Sequence, residues 1–265
     1  MADTLISIKN LSKIYNSKEG SIKALDNISL DIHAGEIFGL LGVNGAGKTT
    51  LSTILAAFHP LTSGDILYNG ISIYKDIPSY RYIVSYCPQT PNLDEELTIE
   101  QNLLFAGRYF GMPEDEVQKR TKELLDYFEF SLYAHRKQDV LSGGYARRLL
   151  FARAIMHKPK LVILDEPTVG LDPHVRHGLW DIIRMLKKQG VTVILTTHYL
   201  DEAEVLSDRI CILDKGKIKL IDSPEKLKTE YKKGNLEDVF IELMKEDVLA
   251  CDHEDGLPEE EENEG

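Results

Sequence analysis

Cysteine is scarce in this chain. The 265 residues include three, Cys87, Cys211 and Cys251, far apart and without a CxxC pair. Neither a disulfide framework nor a zinc site is indicated, and buried or incidental thiols are the expectation. Long apolar runs are missing as well, and none approaches the roughly 18 residues that a membrane-spanning helix requires. The opening MADTLISIKN lacks the basic and then apolar layout of a secretory leader. These absences point to a cytosolic chain. There is no internal repeat and no long linker, and the length suits one large domain or one domain with a sizeable insertion.

Basic residues do not dominate either, which disfavours a nucleic-acid partner. The acidity is local: CDHEDGLPEEEENEG, at the end, carries eight carboxylates and no Lys or Arg, and removing those eight from the net charge of −12 leaves −4. Such a self-repelling segment, nearly free of apolar residues, is expected to be a disordered, solvated tail over 251–265.

Short apolar runs are present at 5–8, 37–41, 83–86, 161–164 and 191–195. Several do not alternate with polar residues, as in strands buried on both faces. Helical patterns fall at 48–58, 98–110, 113–129, 144–157 and 174–189, so the class is α/β with parallel strands. From about 90 to 158 there are helices and no convincing strand, which indicates an inserted helical subdomain.

Within that region, LSGGYARRLL places two glycines directly before a helix. Ala146, Leu149, Leu150 and Ala154 recur at helical spacing with Arg147, Arg148 and Arg153 among them, an amphipathic pattern. Ser142 fits an N-cap, and the amides of Gly143, Gly144 and Tyr145 would point outward at the positive end of the helix, where anions bind. Taken alone, the stretch better fits an ordinary capped helix whose first amides see only water.

The chemistry is plainer elsewhere. After the run at 37–41 comes GVNGAGKTT, in which Gly42, Gly47, Lys48 and Thr49 match G-x-x-x-x-G-K-[ST] ahead of a helix. Amides from Gly45 to Thr49 can donate to phosphates, Lys48 can reach the β and γ oxygens, and the Thr49 hydroxyl suits Mg²⁺. In LVILDEP a buried strand carries Asp165 to its carboxyl end, where ligands of open α/β sheets gather. Asp165 can hold the metal through water and Glu166 can orient or deprotonate an attacking water. Gln89, Asp172 and His198 also follow apolar runs, and each has an ordinary reading as a loop or helix-start residue.

Arranged together, these segments resemble the ATP-binding cassette ATPases from about residue 5 to 245. The resemblance rests on GVNGAGKTT as Walker A, Gln89 in CPQ as the Q-loop, LSGGY as the signature, LVILDEP as Walker B, GLDP as the D-loop and TTHYLDEAE with the switch histidine His198, all in family order. It implies a P-loop NTPase core with an N-terminal antiparallel β part and an inserted all-helical subdomain. The cassette would span 1–250: an α/β core at 1–89 and 159–222, the helical subdomain at 90–158 and a C-terminal helical segment at 223–250.

ATP is expected on Tyr15, which matches the aromatic position that stacks on adenine, and on Gly42, Val43, Asn44, Gly45, Ala46, Gly47, Lys48, Thr49 and Thr50. Mg²⁺ falls to Thr49, Gln89 and Asp165, and catalysis to Glu166, His198 and Gln89. In the family two cassettes pair head to tail, so Ser142, Gly143 and Gly144 would grip the γ-phosphate held by a second copy or by a related cassette, with Asp172 communicating across the dimer. Two positions depart from the usual pattern: Tyr145 replaces Gln, which is expected to tune nucleotide contacts, and Val43 replaces Pro.

YLDEAEVLSDRICILDKGKI and LEDVFIELM resemble the ABC-2 type exporter branch. That implies a cytosolic ATPase subunit on the inner face of a membrane, working with separate membrane-spanning permease subunits. Leu103, Leu104, Phe105, Tyr109 and Phe110 are candidates for the groove that receives them, although helical spacing also fits core packing and several of them must be core. The competing readings are an importer ATPase subunit, a soluble cassette acting on ribosomes or DNA, which usually carries two cassettes or a long coiled coil, and a P-loop kinase, which would not use the signature.

Overall fold

The computed structural model describes residues 3–18, 20–90 and 92–252. Strands β1 (Thr4–Ser17) and β2 (Gly20–His33) form a hairpin that leads into β3 (Ile37–Leu41) and helix α1 (Lys48–Leu55). Then come β4 (Ser63–Tyr68), β5 (Ile71–Ser72), α2 (Ile77–Arg81) and β6 (Val84–Cys87). Helices α3 (Ile99–Tyr109), α4 (Glu114–Tyr127) and α5 (Gly143–Ala154) precede β7 (Leu161–Asp165), α6 (Pro173–Lys188) and β8 (Thr192–Thr197). The chain continues through α7 (Leu200–Leu206), β9 (Arg209–Asp214), β10 (Lys217–Asp222), α8 (Pro224–Glu230) and α9 (Leu236–Asp252).

The central sheet has six strands in the order β10-β9-β3-β8-β7-β6, parallel except for β10. A four-stranded antiparallel sheet, β2-β1-β4-β5, contains the N-terminal hairpin. The α/β class with an N-terminal antiparallel part is therefore what the chain adopts. Strands β3, β7 and β8 are buried at every residue, which explains their unbroken apolar runs. Their alternate side chains serve different cores. Val162 and Leu164 pack with the helices, while Leu161 and Ile163 pack with Ile6, Ile8 and Leu25 of the antiparallel sheet.

Between β6 and β7 every element is helical among the described residues. Thr98 opens α3 with a capping box shared with Gln101. Helix α5 departs from expectation. It is not amphipathic: Gly144, Arg147, Leu149, Leu150, Phe151, Ala152 and Ala154 are all buried. Of the three arginines that read as a polar face, Arg147 is buried and donates to Pro88 O at 3.0 Å, the partly exposed Arg153 donates to Asn92 O at 2.9 Å, and Arg148 pairs with Glu129 at 3.1 Å. Helix α1 stops at Leu55, short of the expected 58, and Ala57 just beyond it is left-handed with φ +56°.

Cys87 and Cys211 are buried, and burial pushes both thiols up to about 12. The side chain of Cys251 and the acidic stretch from residue 253 onward lie outside the described residues. Among the described residues, no helix is long and apolar enough to cross a membrane.

Candidate active site

Parallel pairing decides where the site lies. Leu41 pairs with Thr197 and Asp165 with Thr196, so the carboxyl ends of β3, β7 and β8 reach one edge together. The loop 42–47 leaves β3 at that edge and turns into α1. Gly47, the N-cap of α1, has φ +106°, and a Cβ there would meet Ala24 O at 2.8 Å. Only glycine allows this turn without strain. Ala46 O accepts from Gly216 N at 3.0 Å, which docks the β9–β10 turn on the loop.

Lys48 is buried. Its ammonium donates to Gly42 O at 2.8 Å and Val43 O at 3.2 Å and pairs with Glu166 Oε1 at 3.4 Å. Across from it, the Thr49 hydroxyl donates to Asp165 Oδ1 at 3.3 Å. The same oxygen accepts from Thr196 at 2.6 Å, and Asp165 Oδ2 accepts from the Tyr86 hydroxyl at 2.8 Å. Hydroxyl and carboxylate oxygens beside a phosphate-type loop are hard donors that fit Mg²⁺, which draws its remaining ligands from water and phosphate.

Glu166 sits at the centre of the polar cluster, with φ +45°, a left-handed conformation uncommon outside glycine. Its amide donates to Thr196 Oγ1 at 2.9 Å. Gln89 Nε2 and His198 Nδ1 both lie 3.2 Å from its Oε2. A buried carboxylate is thus shared by a lysine, a glutamine amide and an imidazole, and backbone strain of this kind accumulates at functional sites.

A cavity of about 630 Å³ opens over these groups. Asn44, Gly45, Gly47, Lys48, Thr49, Thr50, Gln89, Glu166 and His198 line it. Gly42, Val43, Ala46 and Asp165 are not among the lining residues, although Gly42 O and Val43 O accept from Lys48 and Asp165 accepts from Thr49, both of which line it. Tyr15 does not line the cavity, but it pairs with Ile22, which does. The Lys13 ammonium lies 4.8 Å from the Tyr15 ring centroid.

Ser142, Gly143, Gly144 and Asp172 do not line the cavity. Ser142 caps α5, accepting from Tyr145 N at 3.5 Å, so the Tyr145 amide is not a free donor as the sequence suggested. The partly buried Tyr145 ring packs edge-on to Phe130 and beneath the Arg148 guanidinium, against the helical core. Asp172 is the N-cap residue of α6 but makes no side-chain cap bond.

Sequence reasoning missed Thr196 and Tyr86, which together hold Asp165. Both stand near the carboxyl ends of strands beside residues that were singled out, and that position was the available signal. Burial, then the Asp165 carboxylate, pushes the Tyr86 phenol upward, so it remains a donor.

The family model described as "ABC transporter" matches residues 25–169. The chain belongs to the ABC transporter family. It is 38% identical over 231 residues to the Nod factor export ATP-binding protein I of Rhizobium sp. (strain N33), which covers 87% of this chain and 75% of that protein. Relatives of the same name are spanned over 60% to 75% of their length. A solved ATP-binding subunit of an ABC transporter superposes with a TM-score of 0.80 at 30% identity, over 91% of this chain and all of that one. A dimeric ATP-binding cassette in a post-hydrolysis state with ADP and Pi superposes with a TM-score of 0.75 at 28% identity, over 83% of this chain and 98% of that one. This chain is thus an ATP-binding ATPase subunit of an ABC transporter, and the importer, ribosome- or DNA-directed and kinase readings are not favoured.

Proposed function

We propose that this chain drives an exporter whose membrane-spanning part is a separate polypeptide, and that two copies close head to tail around ATP on the cytoplasmic face of the membrane. The export assignment draws on the name shared by its relatives, and the pairing on the dimeric cassette among its structural neighbours. In this division of labour, 1–89 with 159–222 bind nucleotide, 90–158 carry the signature and 223–250 form a C-terminal helical segment.

The observation that carries the reading is the Glu166 carboxylate, held by Lys48, Gln89 and His198 at the mouth of the phosphate loop. Amides of Gly45, Ala46, Gly47, Lys48 and Thr49 grip the phosphates, Lys48 moves from its pairing to the β and γ oxygens, and Tyr15 stacks on adenine. Thr49, Gln89 and Asp165 are the residues that would hold Mg²⁺, which would supply positive charge against that of the phosphates. Glu166 takes a proton from water as the water oxygen attacks the γ-phosphorus and the bond to the β–γ bridging oxygen breaks, releasing ADP. His198 steadies that carboxylate. Ser142, Gly143 and Gly144 complete the site of the second copy, and Asp172 links the two sites.

The mass of Glu166→Gln protein in solution, with and without ATP and Mg²⁺, tests this directly when compared with the same protein carrying Ser142→Arg. An ATP-dependent dimer that the arginine abolishes supports the paired site. A monomer under every condition counts against it. Recovery of the protein from native membranes with no integral membrane companion would remove the exporter-subunit reading.

A further inference from the structure

Tyr86 joins two features that are otherwise separate. Its hydroxyl is the donor to Asp165 Oδ2, while Thr49 and Thr196 both occupy Oδ1. Its ring stands edge-on to Phe58, with centroids 5.3 Å apart. Both rings line an apolar groove of about 570 Å³ that Phe105, Tyr109 and Phe110 of the helical region also line. The phenol therefore spans the distance from the wall of this groove to the carboxylate at the end of β7.

We propose that Tyr86 is a positioning residue for Asp165: its hydroxyl fixes the carboxylate toward Thr49, and its ring, braced by Phe58, makes that orientation depend on the wall of the groove. The physical reason is the geometry of a buried carboxylate. Two donors on one oxygen leave rotation about the last side-chain bond unopposed on the other side, and a donor on the second oxygen stops it. Removing that donor leaves a charged oxygen without its partner, a loss that typically corresponds to about tenfold or more in an equilibrium constant. The inference rests on the reading of Asp165 as a Mg²⁺-holding group, and it adds a residue that acts on Asp165 from outside the nucleotide cavity.

The test uses the full chain in the Glu166→Gln background, with ATP affinity measured by calorimetry first in EDTA and then across a Mg²⁺ series. Tyr86→Phe keeps the ring and removes the hydroxyl. The expected result is an EDTA affinity within about twofold of the parent, with the half-saturating Mg²⁺ concentration raised roughly tenfold. Phe58→Leu should raise it by a smaller factor, and in the double variant should add nothing to Tyr86→Phe, because both act through one side chain. A general packing defect would instead weaken the EDTA affinity. Unchanged Mg²⁺ dependence in Tyr86→Phe, or full additivity with Phe58→Leu, overturns the proposal while leaving the proposed function standing. A parent protein whose ATP binding ignores Mg²⁺ overturns both this proposal and the role of Asp165.

Discussion

Lys48 and Glu166 form an ion pair of 3.4 Å, closed over by the phosphate loop and the end of β7. The carboxylate also holds Gln89 and His198, so its geometry survives loss of charge better than loss of the side chain. Glu166→Gln should slow ATP hydrolysis by about a hundredfold or more, the scale of a lost general base, while ATP still binds. Steady-state phosphate release and nucleotide binding check this, and hydrolysis at the parental rate would refute the role of Glu166 as base.

Lys48→Ala is expected to behave differently. It removes the ammonium from Gly42 O and Val43 O and leaves the buried Glu166 without its cation. ATP affinity should fall at least about tenfold, since charge-assisted bonds to phosphate are lost. The melting temperature should also drop, reflecting about 1–3 kcal/mol for buried groups left without partners. Calorimetric titration and thermal melts distinguish this from the Glu166→Gln pattern.

Gly144 touches the start of α6, and a Cβ there would meet Val175 Cγ1 at 2.5 Å. Valine is stiff about χ1 and cannot easily withdraw. Gly144→Ala should therefore shift the start of α5 and weaken the ATP-dependent dimer, and Val175→Ala in the same chain should restore it. A dimer equally weak in the double variant would point to a direct role of the glycine rather than to crowding.

Glu202 is fully buried, accepting from Thr168 at 2.8 Å and Trp180 at 2.9 Å. Burial raises its carboxyl above the usual glutamate range, a shift that Thr197, Thr168 and Trp180 only partly offset. A folded state that keeps its proton to higher pH than the unfolded chain has its full contribution below the ordinary glutamate value and loses it as pH rises through the raised one. Thermal melts of Glu202→Gln against the parent should show the variant gaining relative stability as pH climbs from about 4.5 toward neutrality. A difference that does not change with pH would sink this assignment.

Phe105 and Tyr109 project from α3 with 50% and 83% exposure, beside buried Leu103 of the same helix. Of the apolar residues anticipated for a partner groove, Leu103 belongs to the core, whereas these two face solvent. Phe105→Asp with Tyr109→Asp should leave the ATPase rate of the isolated protein near the parental value and reduce its co-purification with membranes several-fold. Undiminished membrane recovery would place the contact elsewhere.

Much of the site was legible because phosphate chemistry constrains local sequence. A loop that wraps phosphate requires glycines such as Gly47, a lysine one residue on and a hydroxyl after that, and the strand before it is short and wholly apolar. The β1–β2 hairpin was less legible. Only 5–8 read as a strand, because register shifts at Leu11 and Lys13 break the alternation that would mark the rest of β1. Helix α5 was misread for a related reason: arginine in a sequence signals solvent, but Arg147 is buried when a carbonyl such as Pro88 O receives its guanidinium.

By itself the sequence determined the parallel α/β class, the phosphate loop, the Asp165–Glu166 pair and the order of the motifs, because each depends on residues adjacent in the chain or on strand-length apolar runs. Only the tertiary structure decided that Gln89, Lys48 and His198 share one carboxylate, that Thr196 and Tyr86 hold Asp165, and that Tyr145 packs against the helical core. Those relations join separate strands and helices. They arise from pairing register and burial, which bring distant residues to one sheet edge and leave no trace in the spacing of any single segment.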